Sequence, residues 1–283
     1  MTSVAGVAGI VDTDRYPLAE PGGPRWAGAV DGVRRDLRES GCSVLRDFVP
    51  AQRLAALRAE CASVAGKAYH GEQIVNVYNT APDPSLPAGH PARRTTVRGN
   101  AFVARDDIPA DFIIHRLYAC QRFQRFLADC FGLSAVYPLA DPLSGLTVNV
   151  VLPGQEHPWH FDTNEFAVSM VTQEPARGGE FQYCPHIRSA GAENLEDVDA
   201  VLRGAGDGLV RRLSLRPGDL QLFHGRYSLH RVTQVRGTGA RHSAIFAYSG
   251  RPDVVGNAER TRQLFGRVTA EHLAAVPDDG LLA

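Results

Sequence analysis

The segment His157-Pro-Trp-His-Phe-Asp162 decides how this chain is interpreted. His160 and Asp162 are two positions apart, and on a strand such residues point to the same side because side chains alternate with period two. Both side chains can therefore reach one metal ion. The H-x-[DE] spacing alone is a weak signal, since His70-Gly-Glu72 shares it.

A second histidine and an arginine follow downstream. The segment Leu215–Phe223 predicts a strand, a tight turn and a strand, and His230 comes shortly afterwards. Arg241 lies eleven residues after His230 and opens another strand, with Ser243 facing the same way. Two histidines and one carboxylate leave half of an octahedral ion open, which suits non-haem Fe(II) enzymes that bind an oxo acid and O2. The planar guanidinium of Arg241 can hold a distal carboxylate in a bidentate pair.

The chain around this segment divides into three regions: a mostly helical support over 1–135, a β core over 136–250, and a C-terminal helix with a tail over 251–283. In the first region apolar spacing predicts a helix from Ile113 to Phe131. In the second, short β-branched or aromatic runs cut by Gly and Pro predict a sandwich or a small barrel. Ala258–Phe265 predicts the last helix. We expect one domain over 1–283, mainly β with flanking helices.

Composition excludes several partners. The 283 residues contain 30 Lys+Arg and 31 Asp+Glu, so no broad charge favours nucleic acid or a membrane surface. The first residues lack the basic start of a secretory signal. Five cysteines without a C-x-x-C pair are typical of reduced thiols in a cytoplasmic protein. The absence of P-loop, G-x-S-x-G and H-E-x-x-H motifs removes several enzyme classes. From the balanced charge we expect a small-molecule partner, with a homodimer left open.

The spaced residues resemble the H-x-D…H…R-x-S pattern of Fe(II)/2-oxoglutarate-dependent oxygenases: His160-x-Asp162, His230 and Arg241-x-Ser243. The 70-residue gap between the two histidines is typical of that family, whereas His70 lies too far before His230. The resemblance is closer to bacterial members that act on free amino acids, which include hydroxylases and radical halogenases. Gly178-Gly-Glu-Phe181 and Arg226-Tyr-Ser-Leu-His230 are among the phrases that support it.

The resemblance implies a double-stranded β-helix (jelly-roll, cupin-like) that uses Fe(II), 2-oxoglutarate and O2. His160, Asp162 and His230 would bind the iron, and Arg241 with Ser243 would bind the far carboxylate of 2-oxoglutarate. In the halogenases Gly or Ala replaces the metal carboxylate and opens a site for chloride. Because this chain has Asp162, the resemblance implies hydroxylation rather than halogenation.

Four further residues are candidates for ligand contacts. His157 would hold substrate, as the resemblance implies, or is a solvated turn histidine. Arg98 would pair with a substrate carboxylate or belongs to a solvated basic loop. Asn164 would contact a substrate amine or a metal ligand. Asn149, inside an apolar strand, needs a partner, which is the 2-oxoglutarate carboxylate, a buried water or the backbone.

The remaining polar residues have simpler interpretations. We expect His224 to be a lining or core residue, His242 to point away from Arg241, and Cys184 to lie in the core. The arginines of the C-terminal helix should form its solvated face: Arg251, Arg260, Arg262 and Arg267.

The leading hypothesis is therefore an oxygenase that hydroxylates a free amino acid or a similar small polar metabolite and converts 2-oxoglutarate to succinate. A desaturase or cyclase would use the same iron site, and so would a peptide-modifying oxygenase. Outside enzymes, the chain could be a catalytically inactive ligand-binding jelly-roll.

Overall fold

A computed structural model of the protein describes residues 9–71, 73–80 and 82–275. Within these ranges there are seven α-helices: α1 (Pro24–Ser40), α2 (Ala51–Val64), α3 (Ile113–Tyr118), α4 (Gln121–Phe131), α5 (Leu195–Leu202), α6 (Ala258–Phe265) and α7 (Ala270–Ala274). None of these described helices has the length and apolar content that crossing a membrane requires. The start of the N-terminal region, Glu72 of the discounted H-x-E pair and the predicted tail from residue 276 lie outside the described residues.

The same ranges contain sixteen strands: β1 (Cys42–Leu45), β2 (Gln73–Asn76), β3 (Thr95–Arg98), β4 (Ala101–Val103), β5 (Tyr137–Pro138), β6 (Leu146–Val151), β7 (His157–His160), β8 (Ala167–Gln173), β9 (Arg177–Gly178), β10 (Phe181–Cys184), β11 (Arg211–Leu213), β12 (Leu220–Phe223), β13 (Leu229–Val232), β14 (Val235–Arg236), β15 (Arg241–Phe246) and β16 (Tyr248–Ser249). Six of them form a larger sheet in the order β1-β12-β8-β15-β6-β4, and four form a smaller sheet in the order β11-β10-β13-β7. The others form three short pairs, β2 with β3, β5 with β16, and β9 with β14.

The two main sheets are antiparallel, and residues of both line one cavity between them. This is the double-stranded β-helix with flanking helices that the sequence predicts, and the prediction is confirmed. Two strands of the larger sheet, β1 and β4, come from the N-terminal region, pairing with β12 and β6. That region therefore supplies sheet as well as helical cover. A single domain over the whole chain stays a prediction.

The larger sheet has an apolar outer face and a more polar inner face, as β6 shows. Leu146, Val148 and Val150 belong to the main hydrophobic core, whereas Thr147 and Asn149 line the cavity. Alternation along the strand separates the two sets. Polar side chains thus face the cavity even though all six residues of β6 are buried.

Helices α1, α2 and α4 cover the outer face. Trp26, Leu57 and Phe126 are at most 2% exposed and belong to the same core as the sheet. The rings of Trp26 and Phe126 meet edge to face at 5.2 Å. Burying such a side chain contributes roughly 1.5–3 kcal/mol, so this layer holds the sheet rigidly behind the cavity.

The single helix predicted from Ile113 to Phe131 is wrong, because the chain turns at Cys120 and forms α3 and α4. Cys120 has an extended backbone, with φ −78° and ψ 112°. The Tyr118 carbonyl accepts the Tyr248 hydroxyl at 3.0 Å, and the Tyr118 hydroxyl donates to the carbonyl of Ala247 at 3.1 Å. Contacts with the end of the β core, which helical periodicity cannot show, accompany the break.

Candidate metal centre

Two histidines lie side by side on neighbouring strands of the smaller sheet. His160 ends β7, His230 lies in β13, and the two are directly opposed in the antiparallel register. Their ring centroids are 4.1 Å apart, and each residue is 6% exposed. Strand pairing therefore brings together histidines that are 70 positions apart in the chain.

A backbone carbonyl orients each imidazole. Nδ1 of His160 donates to the carbonyl of Pro158 at 2.8 Å, and Nδ1 of His230 donates to that of Ser228 at 2.9 Å. Because a carbonyl can only accept, Nδ1 of each ring carries a proton, and Nε2 is the nitrogen that lies near Asp162 and can bind a metal. Metal-binding histidines are commonly oriented in this way.

Asp162 completes the cluster. Its Oδ1 lies 3.7 Å from Nε2 of His160 and 3.5 Å from Nε2 of His230, and the three ligand atoms are all within 4.8 Å of one another. Ligands at right angles around an ion about 2.1 Å away would be about 3 Å apart. The spacing therefore fits one ion, and this donor set is the facial set of non-haem Fe(II) enzymes.

The charges of the cluster also suit a cation. Burial, followed by the neighbouring His157 and His230, lowers the pKa of His160 well below its usual value. Burial raises the pKa of Asp162, but the attraction and hydrogen bond of His230 outweigh it, so that pKa lies below its usual value. His160 thus offers a neutral nitrogen and Asp162 an ionised oxygen, the forms that bind metal.

Gly225 provides the space for the Asp162 carboxylate. The backbone N–H of Asp162 donates to the carbonyl of Gly225 at 3.1 Å, which holds the turn before β13 against the end of β7. A β-carbon at position 225 would lie 1.8 Å from Oδ2 of Asp162 and 2.5 Å from its Cγ. We did not predict this role, since no local pattern pairs Gly225 with a residue 63 positions earlier.

Arg241 and Ser243 lie in β15, on the opposite wall of the cavity. Nη1 of Arg241 donates to Oγ of Ser243, and Arg241 is 5% exposed. Burial lowers the pKa of Arg241 to about 10 despite attraction from Glu174, and no carboxylate within the described ranges is close enough to form an ion pair with it. A buried guanidinium without a counter-ion is costly, so this group fits an anionic ligand.

Asn149 lies beside them, opposite Ser243 in the pairing of β6 with β15. Its Oδ1 accepts a hydrogen bond from Nδ2 of Asn100 at 3.0 Å. The partner that a buried asparagine requires is thus a side-chain amide, which was not among the partners expected. Asn149 also lines the cavity.

The cavity has a volume of about 1350 Å³ and connects the metal cluster with Arg241. Drug-sized ligands occupy sites of about 300–1,000 Å³, so a co-substrate and a small substrate fit together. The three predicted substrate residues line it as well: His157, Arg98 and Asn164.

His157 lies against the metal cluster. Its ring stacks on that of His160 with centroids 3.9 Å apart and planes 17° apart. Burial, followed by the nearby guanidinium of Arg98, lowers the pKa of His157 well below its usual value. A solvated turn histidine, the alternative interpretation, does not describe this position.

The basic cluster before β4 separates into two environments. Arg98 is 6% exposed and lines the cavity, whereas Arg94 forms an ion pair with Asp199 at 2.8 Å on the outside. Arg98 therefore does not belong to a solvated loop. The sequence alone left that alternative open, because both arginines follow the same short loop.

Arg260 corrects the prediction for the last helix. It is half-buried and lines the cavity, whereas we expected it on the solvated face. Leu264, four residues later and on the same face of α6, lines the cavity too. Arg262 is exposed as expected, and Arg267 forms an ion pair with Asp106 at 2.7 Å.

The other titratable candidates lie outside the metal cluster. His224 packs near Phe131, with ring centroids 6.1 Å apart. His242 is buried on the side of β15 away from Arg241, as strand alternation predicts. Cys184 lies in a hydrophobic cluster with Phe161.

The chain resembles known proteins both in its sequence, through a family model, and in its fold. The model of the family described as Halogenase D matches residues 27–266. No curated protein sequence matches. Among solved structures, a prolyl hydroxylase from Trichoplax adhaerens in complex with a hypoxia inducible factor peptide fragment is 13% identical, covers 85% of this chain and 94% of its own, and has a TM-score of 0.51.

Two enzymes of nogalamycin biosynthesis also have similar folds. The non-heme alpha ketoglutarate dependent epimerase SnoN is 15% identical, with 79% of this chain and 83% of SnoN covered and a TM-score of 0.50. The carbocyclase SnoK is 15% identical, with 77% and 82% covered and a TM-score of 0.50. At such identities these structures show the shared fold alone.

The Halogenase D match spans both sheets, the metal cluster and most of the cavity wall. It favours an enzyme over an inactive ligand-binding jelly-roll. Enzymes of this class use Fe(II), 2-oxoglutarate and O2, and the histidine–aspartate cluster fits the iron. The chain therefore belongs to the Halogenase D family and is an Fe(II)/2-oxoglutarate-dependent dioxygenase.

Proposed function

We propose that this enzyme hydroxylates a free amino acid or a similar small polar metabolite and releases succinate from 2-oxoglutarate. The supporting observation is the Asp162 carboxylate beside His160 and His230. In the halogenases that the chain resembles, Gly or Ala stands at this position and makes room for chloride. Three protein ligands and a bidentate co-substrate leave no second open position for a halide on an octahedral ion.

Each wall of the cavity has a separate task in this proposal. His160, Asp162 and His230 bind iron, while Arg241 and Ser243 bind the far carboxylate of 2-oxoglutarate. Asn149 offers its amide to the same co-substrate. When bound, iron and 2-oxoglutarate supply the oxidant that removes hydrogen from a C–H bond and replaces it with hydroxyl.

The protein contributes orientation and a dry environment. Phe223 packs against the His230 ring with centroids 4.8 Å apart, and Phe181 lies 5.7 Å from the same ring. These aromatics restrict the imidazole and exclude water on that side. Fixed ligands and exclusion of water keep a reactive centre directed at substrate.

His157, Arg98 and Asn164 would contact the substrate, with Arg98 binding a carboxylate. Residues 249–261 of the C-terminal segment contribute a continuous part of the cavity wall, which favours a small molecule over a long peptide. The described cysteines are all free thiols, in keeping with the proposed cytoplasmic location. A homodimer stays a prediction.

The test is succinate release by the purified enzyme with Fe(II), 2-oxoglutarate, O2 and each free amino acid in turn. A hit should yield a product heavier by one oxygen atom, whereas loss of two hydrogens would indicate desaturation or ring closure. The His160→Gln variant measures the background succinate release that iron free in solution produces. Release no greater than this background with every amino acid contradicts the proposal, and release with peptides alone favours the peptide-modifying alternative.

A further inference from the structure

Two arginines of the cavity wall, Arg98 and Arg260, donate to neutral amide oxygens. Arg98 of β3 donates to Oε1 of Gln73, and Arg260 of α6 donates to Oδ1 of Asn79 at 3.2 Å and to Oε1 of Gln263 at 3.3 Å. Neither arginine forms an ion pair with any residue in the described part of the chain. Burial, followed by the positive charge of Arg260, lowers the pKa of Arg98 to about 9. Burial lowers the pKa of Arg260 to about 10.

Amide groups connect the two guanidiniums. Gln73 accepts from Arg98 and donates through Nε2 to the backbone carbonyl of Gln263. The side chain of Gln263 in turn accepts from Arg260. The β2–β3 pair and α6 are thereby tied together, and both cationic groups are held in one part of the cavity wall.

Asn79 connects Arg260 to the metal cluster. Its Oδ1 accepts from Arg260, and its Nδ2 donates to the carbonyl of Phe161 at 2.7 Å. Phe161 stands between His160 and Asp162 in the chain. An anion bound by Arg260 would therefore lie near the reacting centre.

Acidic groups that could bind a substrate cation are scarce. The acidic residues that line the cavity are Asp162, Glu165, Asp253, Glu259 and Glu271. Asp162 belongs to the metal cluster, and the other four are exposed, where water screens their charge. Every free amino acid brings an α-ammonium, so that group does not separate the substrate classes. Within the described walls, the additional side-chain ammonium of a basic amino acid would have no buried carboxylate partner apart from the metal ligand.

The charge balance indicates the class of substrate. Ferrous iron, the Asp162 carboxylate, the two carboxylates of 2-oxoglutarate and the Arg241 guanidinium cancel one another. Among the buried and half-buried arginines of the cavity wall, Arg98, Arg226 and Arg260 remain. Arg226 donates to the backbone carbonyl of Thr163, whereas Arg98 and Arg260 are linked to each other by amides, and leaving these two without a counter-charge is costly. We propose that Arg98 and Arg260 together select a dicarboxylate, such as an acidic amino acid, over its neutral and basic analogues. This inference rests on the proposed function, because it names the substrate class of the same site.

The first experiment compares substrates matched in length. Aspartate, glutamate and 2-aminoadipate are tested against asparagine, glutamine and lysine, and kcat/KM is measured from succinate release. At least one acid should exceed its matched analogue by about tenfold or more, because the analogue leaves a buried guanidinium unpaired. An amide or lysine that equals or exceeds every acid overturns the proposal.

The second experiment separates Arg260 from the general charge of the helix. Arg260→Gln should raise KM for the acid by about tenfold or more and change KM for 2-oxoglutarate little, while Arg260→Lys should retain part of the affinity. Arg262→Gln, on the exposed face of the same helix, is the control and should behave like wild type. Equal KM values for Arg260→Gln and Arg262→Gln contradict the role of Arg260.

Binding without turnover distinguishes failure of this inference from failure of the proposed function. Calorimetry under anaerobic conditions measures binding of each acid to the enzyme loaded with Fe(II) and 2-oxoglutarate. Binding that Arg260→Gln weakens, without succinate release, supports the acid site and contradicts the proposed function. Release with neutral or basic amino acids alone contradicts the acid site only. If the enzyme shows no succinate release and no Arg260-dependent binding, both the acid site and the proposed function are contradicted.

Discussion

Replacing Gly225 with alanine should displace the Asp162 carboxylate and weaken iron binding. The new β-carbon would lie 1.8 Å from Oδ2, and ordinary van der Waals contact begins at 3.4 Å, so the carboxylate has to move by about 1.6 Å. A metal–oxygen bond is only about 2.1 Å long, so this displacement is enough to break it. We expect iron affinity to fall by at least about tenfold and turnover by about a hundredfold.

The assay is an anaerobic Fe(II) titration in the presence of 2-oxoglutarate, followed by its visible charge-transfer band, together with succinate release in air. Gly225 does not have the positive φ that alanine would resist, but Cβ of Asp162, 2.9 Å from the new β-carbon, must shift as well. The metal-free variant should therefore stay folded and melt somewhat below wild type. Gly208→Ala is the matched control, because a β-carbon there meets nothing within 4 Å. Wild-type iron affinity and turnover in Gly225→Ala would refute the placement of the carboxylate as a metal ligand.

Four further changes test the other parts of the site. Arg241→Ala should raise the 2-oxoglutarate requirement by about a hundredfold, since a buried charge pair is lost, and alter Fe(II) affinity much less; similar effects on both would contradict its role. Asp162→Gly should abolish hydroxylation, and full activity in a product assay would remove Asp162 from the ligand set. In the metal-free protein, the free energy of unfolding should fall as pH drops below about 6.5, because His157 and His160 gain protons in the unfolded chain while staying neutral in the native one. The slope is at most about 1.4 kcal/mol per pH unit for each histidine, urea unfolding measures it, and a slope that His157→Gln leaves unchanged would contradict the burial of that ring. Removing Fe(II) by chelation should lower the melting temperature, since only the native state binds the ion tightly, and identical melting curves would exclude a preformed site.

The metal cluster could be predicted from the sequence because two of its ligands are local neighbours. Strand periodicity places His160 and Asp162 on one side, and the resemblance supplies His230 at the right distance along the chain. The placement of His230 opposite His160 depends on the register of β7 with β13, which could not be determined from the sequence. The same alternation places Arg241 and Ser243, two positions apart on β15, on one side of that strand, and their side chains are hydrogen-bonded to each other.

Arg260 and Gly225 were missed for different physical reasons. A charged residue on a short amphipathic helix is usually solvated, and only the packing of α6 against the cavity overrides that expectation. A glycine in a turn has many explanations, and its close approach to Asp162 exists only in three dimensions. Both errors concern contacts between segments remote in sequence, as does the unpredicted break between α3 and α4.

The two arginines proposed to recognise the substrate lie apart from the groups proposed to bind iron and co-substrate, whereas His157 lies on β7 beside His160. The iron and co-substrate groups lie on the two main sheets, with Asp162 just after the end of β7, whereas Arg98 belongs to the β2–β3 pair and Arg260 to α6. Evolution can thus exchange residues of this strand pair and of the helix to reach new metabolites while the oxidising machinery is inherited unchanged. Directed evolution of this enzyme has the same opportunity, with libraries confined to residues 73–98 and 257–265.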